Sequence, residues 1–387
     1  MNLGGLHAVV ADHVFDGTSR HANAGVIIDG SRINRIVPRS EIPRDMPARI
    51  LPDGVWLAPG FIDLQVNGGG DVLFNDAPTA ETISLIAAAH RKFGTTGFLP
   101  TLITDTSEKM HAAITASQTA VRTNPSVLGL HLEGPFLSPD RAGVHDRNLF
   151  RSPTAADIEM LTARRGGALL VTLAPEQLPA GFIARLASAG VSVSLGHSIA
   201  TYAQTHAAIG EGLSGFTHLF NAMPPMASRE PGPIAAALET PTCSFGFIMD
   251  GIHVDPAMLR LALRGVGNPM LVTDAMPPVG GEQSTFALYG EKVAVVDGRC
   301  ARPDGTLAGA YLDMATAVRN CVHLLGVSLE RALNLASRNP AHFIKLGSQL
   351  GQLAPGFRAD MVALVPESVE VIETWVAGVG ALKGDAS

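Results

Sequence analysis

Along the central part of the chain, short runs of apolar residues alternate with longer segments whose apolar positions recur every three or four residues. The first pattern belongs to strands buried on both faces and the second to amphipathic helices. The runs WLAPGFIDLQV, TTGFLPT, VLGLHLEG, ALLVTLAP, VSVSLGHS, GFTHLFN, SFGFIMDG and PMLVTDA predict eight strands. Helical patterns between them include TAETISLIAAAHRKFG, SEKMHAAITASQTAVR, SPTAADIEMLTARR, LPAGFIARLASAG and DPAMLRLALRGVG. Several open on Ser-Pro or Asp-Pro, which suits an N-cap followed by proline in the first turn; the shortest candidate is PGPIAAALET. Eight β/α units in succession predict an α/β fold, a closed (β/α)8 TIM-type barrel.

The two ends read differently. Residues 1–56 carry the β-branched runs HAVVADHVF and AGVIIDG, broken by Asp16-Gly17 and Asp29-Gly30, and the far end returns to this style in ADMVALVP and VEVIETWVAG. They predict a small discontinuous domain, a β-sandwich built from residues 1–56 and 349–387, beside a catalytic barrel over 57–348. After the eighth strand, FALYGEKVAVVDGRCARPDGTLAGA predicts a β-hairpin excursion turning at Asp297-Gly298. YLDMATAVRNCVHLLG and VSLERALNLASRNPAHFIKL predict the closing helices.

Composition narrows the partners. With 46% hydrophobic and 16% charged residues in 387, the chain can bury a large core. A formal charge of −7, from 35 acidic and 28 basic residues without basic clusters, argues against nucleic acid and against an anionic membrane. Cys243, Cys300 and Cys321 are dispersed and odd in number, which fits a reducing compartment better than a disulfide framework. No apolar run approaches the roughly 20 residues of a membrane span, and the N-terminus lacks a secretory pattern. These features predict a cytoplasmic protein.

The candidate chemistry lies at strand ends. His90, His111, His206, His323 and His342 fall in helical patterns and His7, His13 and His21 in the N-terminal strands, where packing or surface roles suffice. Glu133 instead ends LGLHLE, His197 follows VSVSLG, His218 follows GFT and Asp274 follows LVT. In a β/α barrel the C-terminal strand ends converge on the active site. Two imidazoles and a carboxylate suit a borderline divalent ion and leave a position open for water, the pattern of a metal-assisted hydrolase. Asp274 could take a proton from that water as general base, with a further ligand or a helix cap as its alternatives. His131 shares a strand face with Glu133 and reads as a supporting or packing residue.

The segments PGFIDLQVNGGG, HLEGPF, LGHS, THLFNAMPP, REPG, DGIHV, VTDA and GQLAPGFRAD occur in this order over nearly the whole chain. Together they resemble the N-acetylglucosamine-6-phosphate deacetylases of the amidohydrolase superfamily. The resemblance implies a barrel with a small β domain from both termini, a homodimer, and metal-dependent hydrolysis of N-acetylglucosamine 6-phosphate to glucosamine 6-phosphate and acetate. It makes Glu133, His197 and His218 the ligands of one divalent ion per subunit, Zn2+ first, with Fe2+ or Mn2+ also suited. It makes Asp274 the acid/base residue, and His145, in AGVHDRN, the group that polarises the amide carbonyl. His253 and Arg229 would hold the sugar phosphate, Arg229 across the dimer interface, and backbone amides near Asn221 and Ala222 would add donors. A surface Arg229 paired with Glu230 is the alternative.

Three departures qualify the resemblance. Where many amidohydrolases carry a His-x-His pair, this chain reads Gln65-Val66-Asn67, and none of Lys92, Lys109, Lys292, Lys345 and Lys383 ends a barrel strand, which implies a single metal. Ala310 stands near the expected sugar pocket where the family commonly has serine. Asp255 replaces a frequent histidine and, before Pro256, suits a helix cap. Alternative substrates are N-acetylgalactosamine 6-phosphate or another N-acyl compound; the alternative of a different class is a non-catalytic sugar-phosphate binder.

Overall fold

The eight expected strands form one parallel sheet in sequence order: β1 (Phe61–Val66), β2 (Thr95–Ile103), β3 (Gly129–Glu133), β4 (Ala168–Leu173), β5 (Ser192–Leu195), β6 (Gly215–Phe216), β7 (Ser244–Ile248) and β8 (Asn268–Val272). The computed structural model describes residues 5–382; residues 1–4 and 383–387, the outermost parts of the expected terminal unit with Lys383, lie outside the described residues. The barrel closes between β1 and the chain just past β8. The Asp274 amide donates to the Gln65 carbonyl at 2.9 Å and the Asn67 amide to the Ala275 carbonyl at 2.9 Å. Every residue of β1, β2 and β3 is buried, the burial on both faces that a parallel sheet wrapped by helices imposes.

Helix starts follow their caps. Thr79 and Thr106 accept hydrogen bonds from the third residue of the helices Ala80–Arg91 and Ser107–Thr123. In SPTAADIEM the helix begins after Thr154, not at Ser152-Pro153, because Thr154 and Asp157 form a reciprocal capping box. Asp255-Pro256 behaves as expected: the Asp255 carboxylate accepts from the Ala257 amide and Pro256 opens the helix Pro256–Ala262. The short candidate PGPIAAALET forms the helix Gly232–Glu239.

The terminal segments meet in a separate sheet. Trp56–Pro59 lies between His7–Phe15 on one side and Met361–Val365 on the other, so strands from both ends of the chain share one hydrogen-bonded, eight-stranded array. Its strands alternate as a two-faced sheet requires: Val9 and Ala11 join one apolar cluster with Leu57, Met361 and Trp375, while Ala8 and Val10 join another with Ile27 and Val37. Phe15, Trp56, Val362 and Leu364 belong to the main barrel core, which anchors the sheet to the barrel.

The excursion after β8 is a three-stranded antiparallel meander, Thr285–Leu288, Glu291–Val296 and Arg299–Ala301, rather than a single hairpin. Asp297 and Gly298 supply the two positive φ angles, 50° and 75°, that a tight turn needs, and the chain runs straight on into the third strand. Leu288, Val293 and Cys300 pack on Leu73, Ile103, Val144 and Met276. The meander thereby walls one side of the barrel mouth.

Candidate active site

The strand ends expected to carry chemistry converge. Glu133 is the last residue of β3, while His197, His218 and Asp274 each lie two residues beyond β5, β6 and β8. These last three have positive φ angles of 48°, 31° and 53°. Such angles are sparsely populated by residues other than glycine, and here they break the alternation of the strand and turn each side chain over the barrel mouth.

Glu133 Oε1 lies 3.0 Å from His218 Nε2 and 3.2 Å from His197 Nε2, and the two Nε2 atoms are 3.1 Å apart. All three residues are buried. His197 donates from Nδ1 to the Arg141 carbonyl at 2.8 Å, so in the neutral ring its Nε2 carries a lone pair, not a proton. Three electron-pair donors thus face one point. Ligands about 2.0–2.1 Å from a tetrahedral ion lie roughly 3.3 Å apart, so the triangle fits a divalent cation. Burial works to raise the Glu133 carboxyl, but in the absence of a cation the facing His197 and His218 rings, when protonated, offer it hydrogen bonds and positive charge that outweigh burial and hold it well below its ordinary range.

Asp274 is tied to this triangle by two side chains that the sequence reading treated only as missing ligands. Asn67 Nδ2 donates to Asp274 Oδ1 at 2.6 Å. Gln65 Nε2 lies 3.2 Å from the same oxygen and 3.1 Å from Glu133 Oε2. Their spacing at the end of β1, two residues apart and so on one face, was the available signal. Burial and the neighbouring Glu133 push the Asp274 carboxyl up to about 6. Behind it, Asp63 accepts from the Thr273 hydroxyl at 2.5 Å and braces β1 against the end of β8.

His145 reaches the site from the loop after β3, its ring centroid 4.4 Å from that of His197. The Thr104 amide donates to His145 Nδ1 at 3.4 Å and the Thr104 hydroxyl lies 2.8 Å from the same nitrogen; with both donating to it, the ring proton of the neutral form sits on Nε2. Burial and the nearby His197 hold this imidazole well below its ordinary pKa, so it is a neutral hydrogen-bond donor. His253 Nδ1 donates to Asp250 Oδ2 at 2.6 Å, and the Asp250 Oδ1 accepts the amides of Ile252 and His253. The orienting role of Asp250 was not read from the sequence; its i, i+3 spacing from His253 in DGIH was the visible cue.

The triangle, Asn67, His145, His253 and Asp274 line a cavity of about 170 Å³ together with Asn221 and Ala222. Two expectations and one alternative change here. The Asn221 amide closes a turn onto the His218 carbonyl at 3.0 Å and is not a free donor. Ala310 is buried, with its amide donating to the Asp274 carbonyl at 2.8 Å, and Leu307 and Gly309 form the wall instead. Arg229 is exposed and outside the cavity of its own chain. Its pairing with Glu230 is not formed: Glu230 Oε1 accepts the amides of Tyr202 and Gly232.

The other histidines have packing roles or lie apart. His131 is buried between Thr101 and Thr172 below the triangle, pushed down to about 4 by burial. His90, fully buried, reaches the Gly68 carbonyl at 2.9 Å and supports the loop after Asn67. Cys243, Cys300 and Cys321 are free and buried. Among the described residues no helix is long and apolar enough to cross a membrane.

The amidohydrolase family profile matches residues 56–380. An N-acetylgalactosamine-6-phosphate deacetylase of a Shewanella species is 43% identical over 88% of this chain and 86% of its own. An N-acetylglucosamine-6-phosphate deacetylase of Haemophilus influenzae is 33% identical over 91% of this chain and 93% of its own. The crystal structure of N-acetylglucosamine-6-phosphate deacetylase from Pasteurella multocida superposes with a TM-score of 0.94 at 33% identity, covering 97% of this chain and all of that one.

Proposed function

Because this chain belongs to the amidohydrolase family, we propose that it is a metal-dependent deacetylase that converts N-acetylglucosamine 6-phosphate and water to glucosamine 6-phosphate and acetate. The observation that carries this reading is the triangle of Glu133, His197 and His218 joined through Gln65 to the carboxylate of Asp274. A bound divalent cation supplies Lewis acidity there, lowering the pKa of water and polarising the acetyl carbonyl. We assign the three side chains as its ligands, with Zn2+ first and Fe2+ or Mn2+ also suited to the donor set. One ion per subunit is supported by the Gln65 amide, which occupies the space between Glu133 and Asp274 that a second cation would need.

Asp274 takes the proton of the attacking water. His145 donates from Nε2 to the acetyl oxygen as negative charge develops on it. Asp274 then returns the proton to the sugar nitrogen as the C–N bond breaks, releasing acetate and the amine. We assign His253, oriented by Asp250, and the wall at Ala222 to the phosphate end of the sugar. We assign Arg229 to the phosphate of the neighbouring active site in a homodimer, which accounts for its distance from the cavity of its own chain. The barrel over residues 57–348 would carry this chemistry, in the cytoplasm, where free cysteines persist.

The guanidinium assignment has a distinct kinetic signature. Arg229→Ala should raise KM for the 6-phosphate about tenfold or more and change KM for unphosphorylated N-acetylglucosamine less than about twofold, because only the former loses a charge-assisted contact. Equal effects on both substrates would remove Arg229 from the phosphate site.

The galacto epimer is a second reading, favoured by the 43% identity to the Shewanella protein. Acetate release is to be measured on both epimers, before and after chelation, with metal content determined on the same sample. We expect turnover of N-acetylglucosamine 6-phosphate that falls with loss of about one ion per chain and returns with Zn2+. Turnover of the galacto epimer alone would transfer the assignment. No acetate from either, with metal bound, would leave a sugar-phosphate binder.

A further inference from the structure

The four oxygens of Glu133 and Asp274 are not equivalent. Glu133 Oε1 faces His197 and His218, whereas Oε2 accepts from Gln65. Asp274 Oδ1 accepts from both Gln65 and Asn67. An amide nitrogen can only donate to a carboxylate, so these contacts also settle which way both amides point. Asn67 and Gln65 are themselves held by the barrel closure: the Asn67 amide bonds to Ala275, and the Gln65 carbonyl accepts from Asp274. Their side chains are at most 1% exposed, so neither can swing away to solvent.

We propose that Gln65 and Asn67 form an amide clamp that divides the labour of these oxygens. The two amides hold Asp274 Oδ1 as an acceptor, which makes Oδ2 the oxygen that receives the proton of water and passes it to the departing nitrogen. Gln65, by occupying Glu133 Oε2, leaves Oε1 as the oxygen that would face a bound cation and ties the orientation of this carboxylate to that of the base. Both are positioning residues: they act through Asp274 and Glu133. The inference rests on the deacetylase reading, in which Asp274 is the base.

The clamp makes different predictions for its two members. Asn67 touches the base but not Glu133, and Gln65 touches both. Asn67→Leu should lower kcat at least about tenfold with KM within about threefold, and leave Zn2+ affinity, measured by competition with a chromogenic chelator, unchanged. Gln65→Leu should lower kcat and also weaken Zn2+ about 10- to 100-fold, the usual effect of removing a partner from a metal ligand. Circular dichroism and melting are to be recorded for each; if either leucine variant fails to fold, Asn67→Ser and Gln65→Met take the same measurements.

Parent-like kcat in the Asn67 variant, or equal loss of Zn2+ affinity in both, would overturn the clamp. The reading beneath it is tested separately by the parent enzyme and by Asp274→Asn. A metal-dependent parent with an inactive Asp274→Asn but a fully active Asn67 variant refutes the clamp alone. A parent that releases no acetate refutes the reading instead.

Discussion

Asp274→Asn is expected to lower kcat by about a thousandfold or more while the protein keeps its metal, because an amide cannot accept the proton that the reaction must move. The substitution preserves size, and the amide oxygen can still accept from Asn67 and Gln65. None of the three proposed ligands is touched, so metal content should match the parent and KM should stay within a few-fold. Measuring kcat together with bound metal decides the matter: a folded, metal-loaded variant with a substantial fraction of parental turnover would exclude Asp274 as the base.

The same residue predicts the acid side of the pH profile. Burial and Glu133 push its carboxyl up to about 6, so the reactive, ionised form is lost as pH falls through that region. A bound cation adds positive charge and draws the transition lower. Activity should therefore decline on acidification at or below about pH 6, with no corresponding loss on the alkaline side from this group.

His197→Ala should give the opposite combination, loss of turnover together with loss of metal. Two ligands remain of three, and the Arg141 carbonyl loses the imidazole donor that oriented the ring. We expect well under one ion per chain after dialysis and activity reduced about a hundredfold or more, partly restored by excess Zn2+, since incomplete ligand sets bind but weakly. Glu133→Gln should behave alike, because the neutral amide places no negative charge beside the cation. Retention of about one ion per chain with near-parental activity in either variant would move the metal elsewhere. The contrast with Asp274→Asn separates ligand from base without any structural comparison.

Much of this architecture was legible because its signals are local. Short, largely apolar runs, most of them followed by a segment of helical period, mark barrel strands and their covering helices, and the eight candidate runs contain the eight observed strands, down to the two-residue Gly215–Phe216. The titratable residues at the ends of β3, β5, β6 and β8 were also legible, since strand direction alone brings those ends to one face of a barrel. What tertiary structure decided is which atoms meet. Gln65 and Asn67 read as absent ligands, yet they donate to carboxylates 68 and 207 residues away. Ala310 looked like a pocket residue, but pairing with the chain past β8 buries it. The Asn221 amide looked free until the turn after β6 folded it onto His218. The reason is common to all three: hydrophobic period sets where a strand runs and stops. The backbone angles just beyond its end, and the partner brought there by barrel closure, decide where each side chain points.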